Sequence, residues 1–236
     1  MTESPDEPKL FRNIFEGCVV GPRASCGCLD PARRQELGRE GTTLHLHQQD
    51  RKGRPWLRLV ELVEAAAADE RSVFAPAQDL GPEDWSQIIS LPRSISKLKK
   101  VKHLQVYGSN LVRIPPEIGE MEALENFTPY TSYNLHWFPY EVTRCANLAD
   151  STVSTRATYG NRLPFPKLPV LSEELFPVGC SICRGPFGKH GPMQRWVTLR
   201  VATDDLPLLV HACQKSCLKR LPRTGDHRSQ PHRGSR

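Results

Sequence analysis

Four cysteines near the carboxyl end of the chain have the residue type and spacing of metal ligands. Cys180 and Cys183 form a C-x-x-C pair in VGCSICRGPF, and Cys213 and Cys217 follow in LLVHACQKSC. Four thiolates around one zinc ion give a closed tetrahedral site with no position for water, which is structural and not catalytic chemistry. The spacing therefore predicts a structural zinc site with these four cysteines as ligands.

Three other interpretations of the four cysteines stay open. His211 lies just before Cys213 and can replace either Cys213 or Cys217 as the fourth ligand. Without a metal, the four residues would be small buried hydrophobic side chains. A redox role for the CSIC motif is less favoured, because a thioredoxin-like motif lies between a strand and a long helix of a βαβ unit, and no such unit is visible in the sequence.

The segments around the cysteines predict the elements that hold them. Gly185 follows the C-x-x-C pair and allows a tight turn in which backbone amides point at the thiolate sulfurs. RWVTLRVATD alternates like a strand that begins at Trp196 or Val197, and CQKSCLKRL predicts a short helix with Cys213 and Cys217 one turn apart on one face. A C-x-x-C turn, a strand or hairpin and a helix with two ligands in its first turn resemble a treble-clef zinc site.

A weaker candidate metal site lies near the amino end, in SCGCLD and LHLHQQD. Residues i and i+2 of a strand share a face, so His45 and His47 can bind one ion together with Cys26 and Cys28. With an open water position such a site would support a metal hydrolase. Without metal, these residues are buried thiols and half-exposed histidines. The remaining cysteines, Cys18 and Cys145, are interpreted as unpaired core thiols.

The middle of the chain contains a repeat with an offset of 23 residues, between LPRSISKLKKVKHLQVYGSN and IPPEIGEMEALENFTPYTSY. The matched positions are hydrophobic or proline: Leu91 with Ile114, Pro92 with Pro115, Ile95 with Ile118, Leu98 with Met121, Val101 with Leu124, and Leu104 with Phe127. A third, degenerate copy follows one residue late, with Phe138, Pro139, Val142, Cys145 and Leu148 in the same places. A fixed period of this length is typical of a repeat architecture.

Residues 91–161 resemble the leucine-rich repeat superfamily, in the subtype with an IPPEIG step, and the whole chain is similar to short cytoplasmic bacterial proteins of that superfamily. The resemblance rests on Leu-Pro or Ile-Pro, an Ile three or four positions later, then L-x-x-L-x-x-L-x-V, and on the aromatic segment YTSYNLHWFPYEVTRC. It implies an α/β fold with a short solenoid of about three repeats, whose parallel strands form a concave face. It also implies a non-enzymatic protein that binds another protein of unknown identity.

In this register, the side chains between the buried strand positions project from the concave face. They are Lys102, His103, Gln105 and Tyr107 in the first copy, Glu125, Asn126, Thr128 and Tyr130 in the second, and Asp150, Thr152 and Ser154 in the third. Tyr107 would then lie beside Tyr130. A polar face with two tyrosines has the composition of a recognition surface; the alternative is a solvated sheet face with cross-strand hydrogen bonds. Catalysis by His103 and Asp150 is not favoured, because no nucleophile is placed beside them.

The first and last repeats leave apolar faces open, so the flanking segments are expected to cap them. Three helices are predicted before the repeats: LDPARRQEL with Asp30 as N-cap, PWLRLVELVEAAAADE with Trp56, Leu59, Val60, Val63, Ala66 and Ala67 on one stripe, and GPEDWSQII with Pro82 in its first turn.

The predicted organisation is an irregular segment at 1–24, a mainly helical cap at 25–90, repeats at 91–161, a proline-rich connector at 162–178, a small zinc-binding-like module at 179–221 and a disordered basic tail at 222–236. Zinc ligation would supply folding energy that so small a module cannot obtain from burial.

Composition favours a cytoplasmic globular protein. Of 236 residues, 38% are hydrophobic and 25% charged, and no apolar run reaches the roughly 18 residues of a membrane span. The amino terminus MTESPDEPKLFRNIFEG is acidic and interrupted by proline, unlike a signal peptide. In a reducing compartment, eight cysteines favour metal binding or free thiols over disulfides.

The net charge of +6 comes mainly from the last residues of the chain. Residues 219–236 contain six Lys or Arg and a single acid, Asp226. A solvated tail is the favoured interpretation. The alternative function is a zinc-dependent nucleic-acid-binding or regulatory protein that uses the cysteine module and this tail, because Lys and Arg bind phosphate without sequence preference.

Overall fold

A computed structural model of the chain describes residues 47–154, 158, 168, 171 and 175–222. These residues form a mixed α/β structure, which confirms the predicted class. The helices are α1 (Arg54–Ala68), α2 (Pro76–Ser86) and α3 (Lys215–Leu218), and three 3-10 helices span Arg93–Lys97, Pro116–Glu120 and Tyr140–Arg144. The strands are β1 (Val73–Phe74), β2 (His103–Gln105), β3 (Asn126–Thr128), β4 (Phe138–Pro139), β5 (Asp150–Ser151), β6 (Met193–Val201) and β7 (Asp204–Ala212).

Helix α1 lies where the sequence predicts the second helix, and the part of α2 after Gly81 coincides with the start of the predicted third helix, whereas the turn from Pro76 to Leu80 was not predicted. Leu59, Val63 and Ala66 of the predicted stripe are buried against the core. Helix α2 consists of two helical turns joined at Gly81, whose φ of 77° is a left-handed conformation that glycine adopts without strain. The predicted first helix and its Asp30 cap lie outside the described residues.

The repeat builds a parallel sheet in the order β1-β2-β3-β5. His103 pairs with Asn126, and Asn126 pairs with Asp150, as the offset of 23 residues and the third copy one residue late predict. Strand β1 extends the sheet because Val73 pairs with His103. Strand β1 was not predicted, since a strand of two residues has no alternation to recognise.

In each repeat, a proline directly precedes the 3-10 helix. Pro92, Pro115 and Pro139 are the N-caps of the three 3-10 helices, with φ between −72° and −69° and extended ψ. Proline fixes φ in this range and ends the preceding strand-like segment. The apolar residues that follow are buried and stack from one copy to the next: Ile95, Ile118 and Val142; Leu98, Met121 and Cys145; Val101, Leu124 and Leu148.

Serines that follow the strands hydrogen-bond from one copy to the next. The hydroxyls of Ser109 and Ser132 are 2.7 Å apart. The amide of Thr131 donates to the Ser154 hydroxyl at 2.6 Å. These contacts satisfy buried polar groups where the chain leaves the sheet.

The cysteine segment and the repeats share a second sheet and a common hydrophobic core. Strands β6 and β7 form an antiparallel hairpin, and β7 pairs in parallel with β4, which belongs to the third repeat. Strand β6 begins at Met193, so the predicted start at Trp196 or Val197 was wrong by three residues or more. The side chains of Met193 and Gln194 are only half-buried, and they extend the strand without adding to its apolar pattern.

The tip of this hairpin contacts the last strand of the parallel sheet. Thr203 accepts a hydrogen bond from the amide of Ser151 at 3.2 Å and donates one to the Ser151 carbonyl. The Ser151 hydroxyl donates to the Asp204 carboxylate at 3.0 Å. The hairpin therefore lies at the end of the sheet where the repeats stop.

Within the described residues, no helix is sufficiently long and apolar to span a bilayer.

Candidate metal centre

The C-x-x-C segment folds as a tight turn. The amide of Cys180 donates to the Gly185 carbonyl at 2.8 Å, and the amide of Arg184 donates to the Cys180 carbonyl at 2.9 Å. Arg184 has a positive φ of 62°, which closes the turn. Gly179 is required by close packing, because a Cβ there would lie 2.6 Å from the Arg184 carbonyl oxygen. The turn directs the amide of Ile182 at the Cys180 sulfur, 3.4 Å away.

Strand β7 lies beside this turn, and the second cysteine pair follows the end of the strand. The Ser181 amide donates to the His211 carbonyl at 2.8 Å, and the His211 amide donates to the Ser181 hydroxyl at 2.9 Å. The chain then leaves β7 at Cys213 and enters α3, with Gln214 as its N-cap. Only Cys217 lies within the helix, so the prediction that both cysteines lie in its first turn was wrong. The extended backbone of Gln214, with ψ of 162°, separates Cys213 from the helix.

The four sulfur atoms have the spacing that one tetrahedral ion requires. All lie within 4.8 Å of one another. The sulfurs of Cys183 and Cys213 are 3.6 Å apart, and those of Cys213 and Cys217 are 3.7 Å apart. A zinc ion with Zn–S bonds of about 2.3 Å places its sulfurs about 3.8 Å apart, whereas a disulfide requires about 2.05 Å. The four cysteines can therefore hold one metal ion.

The electrostatics of the cluster favour bound positive charge. Burial raises the pKa of the Cys180 thiol, but backbone N–H groups of Cys183, Cys213 and Ile182 outweigh burial and bring that pKa to about 6. Burial, with hydrogen bonds and charge from neighbouring thiols, raises the pKa of Cys213 to about 12, and the pKa of Cys217 is also raised. Four adjacent thiolates repel one another, so a dication is needed to ionise them all.

His211 is not a member of the cluster. Its ring nitrogen Nε2 lies 3.2 Å from Gln194, and its ring packs 5.4 Å from that of Phe176. Burial lowers the pKa of His211 to about 4, so the ring is neutral at physiological pH. Its backbone positions the C-x-x-C turn, while its side chain points to a different cavity.

Arg144 connects the C-x-x-C turn to the third repeat. Its Nη2 donates to the carbonyls of Cys180 and Ser181, at 3.3 and 3.2 Å. It also lies 3.7 Å from the carboxylate of Glu141, whose side chain is 1% exposed. Burial raises the pKa of Glu141 to about 7, and the nearby Ser181 hydroxyl and Arg144 lower it less than burial raises it. Arg144 was not predicted as a site residue, since nothing in its local sequence pattern indicates a contact with a turn 36 residues away.

The amino-terminal candidate site cannot be compared with the structure. Cys26, Cys28 and His45 lie outside the described residues, as do Cys18 and residues 223–236 of the basic tail. Cys145 is a buried free cysteine in the core of the repeats. Its thiol donates to the Ile118 carbonyl at 3.2 Å, and burial raises its pKa to about 12.

The parallel sheet aligns the predicted polar face. The ammonium of Lys102 forms an ion pair with Glu125 at 2.9 Å, and the ring of His103 lies 2.8 Å from the Thr128 hydroxyl. Burial lowers the pKa of His103, and the charge on Asp150 opposes this shift. The half-buried or exposed positions of this face are Lys102, His103, Gln105, Glu125, Asn126, Thr128, Tyr130, Asp150 and Thr152.

Tyr107 lies beside Tyr130 as expected, with ring centroids 6.2 Å apart, but it is only 5% exposed. Its prediction as a surface anchor was wrong. Strand β2 ends at Gln105, so the alternation of the strand does not extend to Tyr107. Ser154 is also buried, because its hydroxyl accepts the hydrogen bond from Thr131.

No protein-family model matches the sequence, and no curated protein matches it significantly.

Proposed function

We propose that the protein is a non-enzymatic protein-interaction module of the leucine-rich repeat type, stabilised by one structural zinc ion. The observation that carries the proposal is the cluster of four cysteine sulfurs within 4.8 Å, held against the last repeat by Arg144. Zinc is the metal that a four-thiolate tetrahedral site favours. A site closed by four thiolates offers no position for a reacting water.

The leucine-rich repeat assignment is supported by the recurrence of a proline, a 3-10 helix and a short strand. His103, Asn126 and Asp150 occupy the same position in successive parallel strands. The hairpin tip at Thr203 contacts the last of these strands, which is the place where a cap is needed. The zinc ion would therefore stabilise the unit that closes the repeats.

The face of the parallel sheet is the proposed partner-binding surface. It presents an exposed lysine, an exposed aspartate and half-buried Asn126, Thr128 and Tyr130 on a rigid support. Lys102 and Glu125 are each about half exposed, with side chains 57% and 45% accessible, so a partner can contact both. Replacing the buried Tyr107 would test stability and not recognition, so the surface is better tested at the exposed ion pair.

The experiment exchanges the charges of this pair. The double variant Lys102→Glu with Glu125→Lys keeps an ion pair within the protein but reverses the pattern that a partner meets. The matched control exchanges Lys97 and Glu64, an ion pair of 2.8 Å and similar exposure that joins α1 to the first 3-10 helix. Partner proteins retained by each immobilised variant are quantified by mass spectrometry, with thermal melting as the check on folding.

We expect proteins retained by the wild type to be retained by the Lys97/Glu64 exchange and reduced at least ten-fold by the Lys102/Glu125 exchange. Buried charge pairs at an interface that become repulsive cost several kcal/mol. Equal retention by the two folded variants would contradict the assignment of this face.

A further inference from the structure

A cavity of about 230 Å³ is lined by none of the residues of the polar sheet face. It is bounded by the proline turns that precede the second and third 3-10 helices, at Pro115 and Pro139, by Trp56 of α1 and by His211 of β7. Neither the zinc site nor the proposed partner surface uses this cavity. For comparison, an engineered apolar cavity of about 150 Å³ binds benzene. The space therefore suits a single ring with a small polar substituent.

Positive charge predominates in the cavity lining. Among the described residues, three arginines, Arg51, Arg93 and Arg113, line it together with one carboxylate, Glu117. Arg113 is 6% exposed, so its charge is desolvated, while Arg51 and Arg93 are exposed. Electrostatic attraction between a guanidinium and an anion strengthens where water is excluded.

The arginines have protein partners and retain the geometry to bind an anion. Arg93 donates to Glu117 at 2.6 Å and to the Phe176 carbonyl at 3.0 Å, and Arg113 donates to the His47 carbonyl. Each guanidinium carries five N–H donors in a planar fork that matches a carboxylate. The buried Nε of Arg113 makes no hydrogen bond within the described residues, so this N–H can donate to a bound carboxylate.

Aromatic side chains form the apolar part of the cavity. Trp56 is half-buried, and the Arg51 guanidinium lies 5.9 Å from the centroid of its ring. Trp137 is 7% exposed and is held edge-to-face against Trp196, with centroids 5.9 Å apart. Rings fixed in this way offer flat surfaces to an aromatic ligand without a further ordering cost.

We propose that this cavity binds a small organic anion, a carboxylate carried on one aromatic ring. The ring lies between Trp56 and Trp137, and the carboxylate accepts hydrogen bonds from Arg113. Arg51 adds attraction at the solvent-exposed side.

The test uses three ligands of nearly equal size: phenylacetate, its neutral amide phenylacetamide, and the cation phenethylamine. Binding to the full chain is followed by tryptophan fluorescence, because two of the four tryptophans line the cavity, and by titration calorimetry. The variants are Arg113→Gln, Arg51→Gln and, as a matched control, Arg200→Gln. Arg200 is 49% exposed and does not line the cavity. Thermal melting checks that each variant is folded, and exposed Arg51 provides the test if the buried Arg113 variant does not fold.

We expect saturable binding of one phenylacetate per chain with a fluorescence change, binding of the amide at least ten-fold weaker, and no binding of the amine. Arg51→Gln should weaken phenylacetate binding several-fold and folded Arg113→Gln at least ten-fold, whereas Arg200→Gln should leave it unchanged. Absence of saturable binding, equal affinity for acid and amide, or equal affinity of the Arg51 and Arg200 variants would overturn the proposal.

Discussion

Arg144 donates a hydrogen bond to the carbonyl oxygen of Cys180 at 3.3 Å and thereby joins the last repeat to the C-x-x-C turn. The same guanidinium nitrogen bonds the Ser181 carbonyl and lies near the buried carboxylate of Glu141. The metal site and the repeat are therefore expected to be stabilised together.

Replacing Arg144 by methionine should destabilise the protein by about 2 kcal/mol, because the carbonyls of Cys180 and Ser181 each lose one donor and a buried carboxyl group loses its nearby cation. Urea unfolding followed by tryptophan fluorescence measures the change. The control is Arg200→Met, whose ion pair with Asp205 is exposed and 3.9 Å long and should contribute less than about 1 kcal/mol. Similar losses in the two variants would argue against a connecting role for Arg144.

Gly179→Ala should weaken metal binding about ten-fold or more, the scale observed when groups that support metal ligands are altered. The added Cβ would lie 2.6 Å from the Arg184 carbonyl oxygen and 2.9 Å from that of Gly185, which accepts the hydrogen bond of the Cys180 amide. Gly188→Ala is the matched control, since a Cβ there meets nothing within 4 Å. Competition with a chromogenic chelator gives both affinities; if they are equal, the turn does not depend on this close approach.

The buried carboxyl of Glu141 should make stability depend on pH. Its pKa is raised from 4.5 to about 7 in the folded state, so the folded protein holds this proton more tightly than the unfolded chain. The contribution of Glu141 to the free energy of unfolding is fully present below about pH 4.5. It falls by about 3 kcal/mol in total as the pH rises to about 7. Subtracting the unfolding free energies of Glu141→Gln from those of the wild type between pH 4.5 and 8 isolates this group. A pH-independent difference would contradict the burial of an ionisable carboxyl at this position.

Periodicity and ligand spacing made much of this architecture predictable. The offset of 23 residues predicts the pairing of His103 with Asn126, because stacked repeats align equivalent positions. The C-x-x-C pair and the later cysteines indicate that four sulfurs meet, because few other arrangements satisfy four adjacent thiols.

Contacts between distant segments could not be predicted in this way. Strand β4 is two residues long and pairs with Leu208 and Leu209, a relationship that leaves no periodic signal in either segment. The burial of Tyr107 depends on where β2 ends, and strand ends are set by the surrounding structure more than by local sequence. The contact between Arg144 and the Cys180 turn is likewise set by the surrounding structure and leaves no local signal in the sequence.

The central claim is that Cys180, Cys183, Cys213 and Cys217 hold one zinc ion. The most direct measurement is elemental analysis of full-length protein purified without a metal-affinity tag, combined with thiol titration before and after chelation. We predict one zinc per chain, four thiols that react only after chelation, loss of the zinc in Cys180→Ser and its retention in Cys145→Ala. Protein without metal, with these four thiols reactive from the start, would contradict the account.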